Sequence, residues 1–126
     1  MKLNKETAPD IILIDACDAL SVTVRGAVYE TSVLVSPTQL PAPWPVARFD
    51  ALDVQAFEAV LALRPAVVLI GTGARQYFPA PSVLRRLIEA KIGFEVMNTG
   101  AACRTYNLLA AEGRAVLAVL IVGDGS

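Results

Sequence analysis

Two short polar stretches hold the residues with the chemistry of a binding site. The first is Gly71-Thr72-Gly73-Ala74-Arg75-Gln76, which follows the apolar run Val67–Ile70. The second is Asn98-Thr99-Gly100, which follows Phe94–Met97 and leads to Arg104, Tyr106 and Asn107. Glycine lets a chain turn sharply where a strand ends, and the unpaired amides that open a helix favour an anion. Arg75 or Arg104 within reach supplies the charge that makes phosphate, sulfate or a carboxylate the natural occupant. The candidate ligand or partner site is therefore Gly71, Thr72, Gly73, Arg75, Asn98, Thr99, Arg104, Tyr106 and Asn107. A plainer reading competes with it. In that reading Asn98 and Thr99 cap a helix, Arg104 and Asn107 face water, and Tyr106 packs in the core with its hydroxyl at the rim.

Several chemistries are disfavoured. Gly71-Thr-Gly73 begins like a dinucleotide fingerprint, with Glu95 near the position of an acidic ribose partner. Gln76 stands where the third glycine belongs, however, and Pro79 and Pro81 hold the next helix away from the turn. The chain has no histidine, which removes Ser-His-Asp and Cys-His nucleophile activation and most zinc sites. Asp15, Asp18 and Asp50 lie in turn-like contexts and form no acid/base pair. No catalytic residue, metal or cofactor is assigned, and an enzymatic role is disfavoured. Eleven basic against twelve acidic residues leave a net charge of -1, the wrong balance for a nucleic-acid partner. Cys17 and Cys103 match neither a Cys-x-x-Cys nor a zinc spacing, and the expectation is two buried free thiols of a reducing compartment.

These stretches need a sheet to hold them. Val67–Ile70 is apolar without alternation, the pattern of a parallel strand covered on both faces. Phe94–Met97 and Ala115–Val122 follow as second and third strands. Between them lie a helix with Pro81 in its first turn, Leu84, Leu87 and Ile88 on its apolar face, Lys91 in its last turn and Gly93 just past its end, and a helix from about Gly100 to Glu112. Right-handed crossovers are expected to set both helices on one face of the sheet. Before this unit, Asp53 caps a helix over Asp53–Leu63, with Leu52 and Phe57 as a hydrophobic staple.

The first 35 residues read as an antiparallel meander that shields the other face or an edge. Its strands are Asp10–Ile14, Ala19–Val24 with Leu20, Val22 and Val24 inward, Val28–Glu30 after a turn at Arg25-Gly26, and Val33–Val35. Ser36–Pro45 carries four prolines and Trp44. It is expected to be an extended connector that Trp44 clamps to the core.

The fold class is α/β, a three-layer domain with a central mixed sheet and an N-terminal antiparallel β-meander. One domain is expected, with an arm at 1–9, the meander at 10–35, the Pro-rich connector at 36–50, a β-α-β core with its preceding helix at 51–122, and a tail at 123–126. A hydrophobic content of 55% and a mean hydropathy of +0.53 fit either a doubly covered sheet or an apolar surface kept for a partner. No apolar run approaches the roughly 20 residues of a membrane span, and the first residues lack the apolar core of a signal peptide. A cytoplasmic location is therefore expected.

The second half of the chain resembles a small α/β family. The resemblance rests on Leu69-Ile-Gly-Thr-Gly73, Gly93-Phe-Glu-Val-Met-Asn-Thr99, Ala101-Ala-Cys-Arg-Thr-Tyr-Asn107, Glu112-Gly-Arg114 and Val116–Val122. That family includes the mitochondrial assembly factor 3 of NADH:ubiquinone oxidoreductase (complex I) and many uncharacterised bacterial proteins. The resemblance implies a three-layer domain with a mixed sheet. It also implies a protein partner, a respiratory-complex subunit or assembly protein, and no agreed cofactor or reaction. Its signature falls on Gly71, Thr72, Gly73, Glu95, Thr99, Arg104, Thr105, Tyr106, Asn107, Glu112 and Arg114. A non-enzymatic protein-binding or assembly module is the leading expectation. The alternative is a small-ligand or anion-binding protein, an enzyme among the forms it could take, using the carboxyl edge of the sheet.

Overall fold

The computed structural model describes residues 10–123; the expected arm and the last residues of the expected tail lie outside them. Eight strands form two sheets. A small antiparallel sheet joins β1 (Ala16–Cys17), β2 (Val22–Val24) and β3 (Ala27–Tyr29). The main sheet has the order β5-β4-β8-β6-β7, with β4 (Val33–Val35), β5 (Ala42–Pro43), β6 (Val67–Gly71), β7 (Gly93–Met97) and β8 (Val116–Leu120). β6 lies between β8 and β7 and is parallel to both, while β4 and β5 add antiparallel. The expected α/β class with a mixed sheet and a meander is what the chain adopts.

Side-chain alternation divides the core into two halves. Leu69, Val33, Val35, Val116, Ala118 and Leu120 pack on one side with α3 (Thr99–Ala111) and with Val22 and Val24 of the meander. Val68, Ile70, Leu34, Leu117 and Val119 pack on the other with α1 (Glu58–Leu63), α2 (Arg85–Glu89) and the Pro-rich connector. The helices α2 and α3 therefore lie on opposite faces, which corrects the expectation of one face. The chain steps from β6 to β7 and then back across β6 to β8. With both crossovers right-handed, reversing direction moves the helix to the opposite face. The meander shares its face with α3.

Other local expectations change for identifiable reasons. Val33–Val35 belongs to the main sheet, because three consecutive buried residues need cover on both faces. Residues 11–14 make no ladder. Leu20 is exposed, because the Asp18 carboxylate accepts from the Leu20 and Ser21 amides and turns the chain there. The Arg25-Gly26 turn forms as expected, with φ of 50° and 83°, the two positive angles a two-residue hairpin loop requires. The first helix opens as a 3-10 turn, Val54–Phe57, with the Asp53 carboxylate accepting from the Ala56 amide at 3.1 Å. α2 is one short turn. Ile88 falls on its solvent side, Lys91 takes φ 59° where the helix ends, and Gly93 already belongs to β7. Trp44 is buried as a clamp: its indole N–H donates to the Ala56 carbonyl at 2.8 Å, and its ring lies 6.1 Å from that of Phe57. Pro43 sits in the edge strand β5, where a missing donor leaves no ladder bond unmade.

Candidate functional site

At the carboxyl edge of β6, a Cβ on Gly71 would lie 3.0 Å from Thr99 Cα, Thr99 Oγ1 and Leu120 Cδ2. Only glycine lets α3 begin directly on the strand end. Gly73 then turns with φ 97°. Its carbonyl accepts from the Thr99 amide, and its amide donates to Thr99 Oγ1, both at 2.9 Å. The Thr99 hydroxyl donates in turn to the Ile121 carbonyl at 2.8 Å. Thr72 is bonded on the other side, its amide donating to the Met97 carbonyl at 2.9 Å and its hydroxyl to the Arg75 carbonyl. Its oxygen also accepts from the Tyr77 amide at 3.2 Å. Thr72 and Thr99 are buried, so the two turns, which do converge, are joined by their own hydroxyls.

Asn98 caps α3, its side-chain oxygen accepting from the Ala101 amide at 2.8 Å. Such a cap contributes about 1 kcal/mol. Arg104 is exposed and leans back along the helix, with Nη1 3.6 Å from the point where Gly100 would carry a Cβ. Arg75 is exposed on the loop after β6.

Tyr106 and Asn107 are directed elsewhere. Tyr106 is fully buried and donates to the Ile12 carbonyl at 2.7 Å, so its hydroxyl is covered rather than at the rim. Burial pushes its phenol well above the usual value. Asn107 accepts from the Ile14 amide at 2.8 Å and donates to the Ile14 carbonyl at 2.7 Å. A side-chain amide offers the donor and acceptor of a peptide group, so α3 holds residues 12–14 as a neighbouring strand would.

The cysteines are not separate thiols. A disulfide joins Cys17 on β1 to Cys103 on α3, with Cα atoms 6.5 Å apart. The meander's packing on α3 brings the two together, and nothing in their spacing signals it. Two further features went unanticipated. The loop after β6 presents Phe78 at 75% exposure beside Tyr77, whose ring stacks 5.1 Å from that of Phe49. Gln76 anchors this loop to the edge strand, donating to the Val96 carbonyl at 2.9 Å. At the opposite edge of the sheet, Ser36, Arg64 and Arg114 line a cleft of about 420 Å³. The exposed aromatic pair carries a sequence signal, Tyr77-Phe78 between glycine and prolines; the cleft carries none.

No helix among the described residues is long and apolar enough to cross a membrane. The chain is 30% identical over 128 residues to a Bos taurus protein named NADH dehydrogenase (ubiquinone) 1 alpha subcomplex assembly factor 3, which covers 99% of this chain and 68% of that protein. It is also 30% identical over 94 residues to a Francisella tularensis protein named 13 kDa major membrane protein, covering 74% of this chain and 76% of the other. An NMR structure of a Xanthomonas campestris protein superposes with a TM-score of 0.81 at 40% identity, covering 100% of this chain and 96% of that one. Residues 14–121 match the family described as "Protein of unknown function (DUF498/DUF598)", and the chain belongs to that family.

Proposed function

We propose that this protein is a non-enzymatic protein-binding module that assists assembly of a respiratory complex. The partner face is the outer edge of β7 together with the Tyr77-Phe78 loop. The observation that carries this reading is Phe78, an aromatic side chain 75% exposed on a loop that Thr72 and Gln76 tie down just before it. Exposed aromatics on rigid supports are the common anchors of protein interfaces. Similarity to the Bos taurus assembly factor over nearly the whole chain supports the respiratory setting. A cytoplasmic location belongs to the same reading. The test is affinity capture from native membranes with the wild-type chain and Phe78→Asp as parallel baits. Respiratory-complex subunits enriched by the wild type and lost with the variant are the expected result. Equal enrichment by both baits, or none by either, would remove the proposal.

A second reading, a ligand-binding protein at the carboxyl edge, is supported by Arg104 lying over the first turn of α3. Its occupant would be a small anion. Phosphate should then give saturable amide shifts at Thr72–Ala74 and Thr99–Ala102 that weaken in Arg104→Ala. Shifts that never saturate, or that the variant leaves unchanged, count against it.

A further inference from the structure

The sheet is open at the edge away from the glycine turns. β4 and β8 pair as far as Val35 and Ala118. Beyond that point Ser36 leads to Pro37, which has no N–H to extend a ladder, while β8 continues beside β6 to Val116. The last residues of α1 and α3 reach the same edge, and the cleft of about 420 Å³ lies between them. That size falls within the range of small-molecule sites. Ile11, Leu63, Ala110 and Val116 give it an apolar floor.

Ser36, Thr38, Gln39, Arg64 and Arg114 border this floor with polar side chains. Among the described residues no carboxylate lies within ion-pair distance of Arg64 or Arg114. Arg64 holds φ 49°, a left-handed backbone that helix ends ordinarily give to glycine. Ser36 is 9% exposed and lines the cleft, and among the described residues its hydroxyl makes no hydrogen bond. A buried hydroxyl without a partner is the exception in folded proteins and marks a place for an acceptor. Among the described residues, two guanidinium groups and one hydroxyl thus stand as unpaired donors beside the apolar floor.

We propose that this cleft binds a small amphipathic carboxylate, an unbranched acyl chain of medium length. The chain lies on the Ile11, Leu63, Ala110 and Val116 floor, and its carboxylate accepts from Arg64, Arg114 and Ser36. A planar carboxylate matches the guanidinium fork and has lone pairs left for the hydroxyl. No bond is made or broken.

The test is an amide-shift titration of the full chain with sodium decanoate, with decanol as the uncharged probe. Saturable shifts are expected at Ser36, at Arg64–Val67 and at Gly113–Leu117. Binding should weaken about 10-fold or more in Arg64→Gly and in Arg114→Gln, the scale of a lost charge-assisted hydrogen bond. Decanol should bind more weakly by a similar factor. Arg64→Gly separates binding from folding, because glycine suits the backbone at that position and its melting temperature should equal or exceed that of the wild type. Unsaturated shifts up to on the order of 10 mM decanoate would overturn the site. Undiminished binding in both arginine variants, or decanol binding as tightly as decanoate, would overturn the carboxylate assignment.

Discussion

Tyr106 shows how one side chain links pH to stability. Its phenol is buried, its O–H donates to the Ile12 carbonyl, and burial raises its pKa above the unfolded value of 10.0. The folded state therefore keeps the proton that the unfolded chain releases above about pH 10. The neutral phenol's contribution is fully present below that pH and declines as pH rises above it. Urea unfolding of the wild type should show stability falling from about pH 10 upward. In Tyr106→Phe part of that fall should disappear, and stability near pH 7 should drop by about 1–2 kcal/mol because the Ile12 carbonyl loses its partner. An unchanged alkaline profile in the variant would assign the fall to other groups. Not every such role is legible in the sequence. Asn98 can be read as a cap because the signal is local: a polar residue between a strand and a helix. Thr99 reads as no more than a neighbour in that cap, because its partners, Gly73 and Ile121, lie 26 and 22 positions away. Tyr106 is legible as core from its spacing to Ala102 and Leu109, but its acceptor comes from Ile12, which only the fold brings near.

At the scale of elements, a segment is legible where its own residues settle its burial. Val67–Ile70 and Val116–Leu120 are apolar enough that cover on both sides follows, Phe94–Met97 with its exposed Glu95 takes the edge, and all three lie in the main sheet. The face taken by α2 and α3 is a different kind of fact. Handedness assigns a helix to a face only after the order of its strands is known, and order is a matter of which strands share hydrogen bonds. Placing β6 between β8 and β7 sends the two helices apart, and that choice leaves no mark in either helix. Residues 11–14 illustrate the converse. Ile12 and Ile14 are buried as a strand's would be, yet their backbone partners are the Tyr106 and Asn107 side chains and the Pro37 carbonyl. Alternation predicts the burial of such a segment and is blind to what satisfies its peptide groups. The polar Arg104–Asn107 run divides accordingly: Arg104 faces solvent over the helix start, while Tyr106 and Asn107 hold the N-terminal layer.

The molecule is a stack of three layers, and the Cys17–Cys103 bridge fastens the meander to α3, with which it shares one face of the sheet. Its residues are 86 positions apart, so the loop it closes includes most of the chain. In the chain-entropy account, closing a loop of that length stabilises the fold by up to about 4.5 kcal/mol. A domain of this size has only about 5–15 kcal/mol in all. Reduction should therefore lower the melting temperature by on the order of 10 °C, and Cys17→Ser and Cys103→Ser should each melt with the reduced wild type. If either variant melted with the oxidised protein instead, the bridge would contribute nothing to stability. The same pair reports on location, because a cytoplasm keeps thiols reduced while oxidising compartments keep bridges closed. Acid quenching of intact cells, alkylation and mass spectrometry would read the two states directly. A bridge found closed in cells would remove the cytoplasmic location from the functional reading. Two alkylated cysteines would support it, and the reduced protein would then be the form in which partner capture should be repeated.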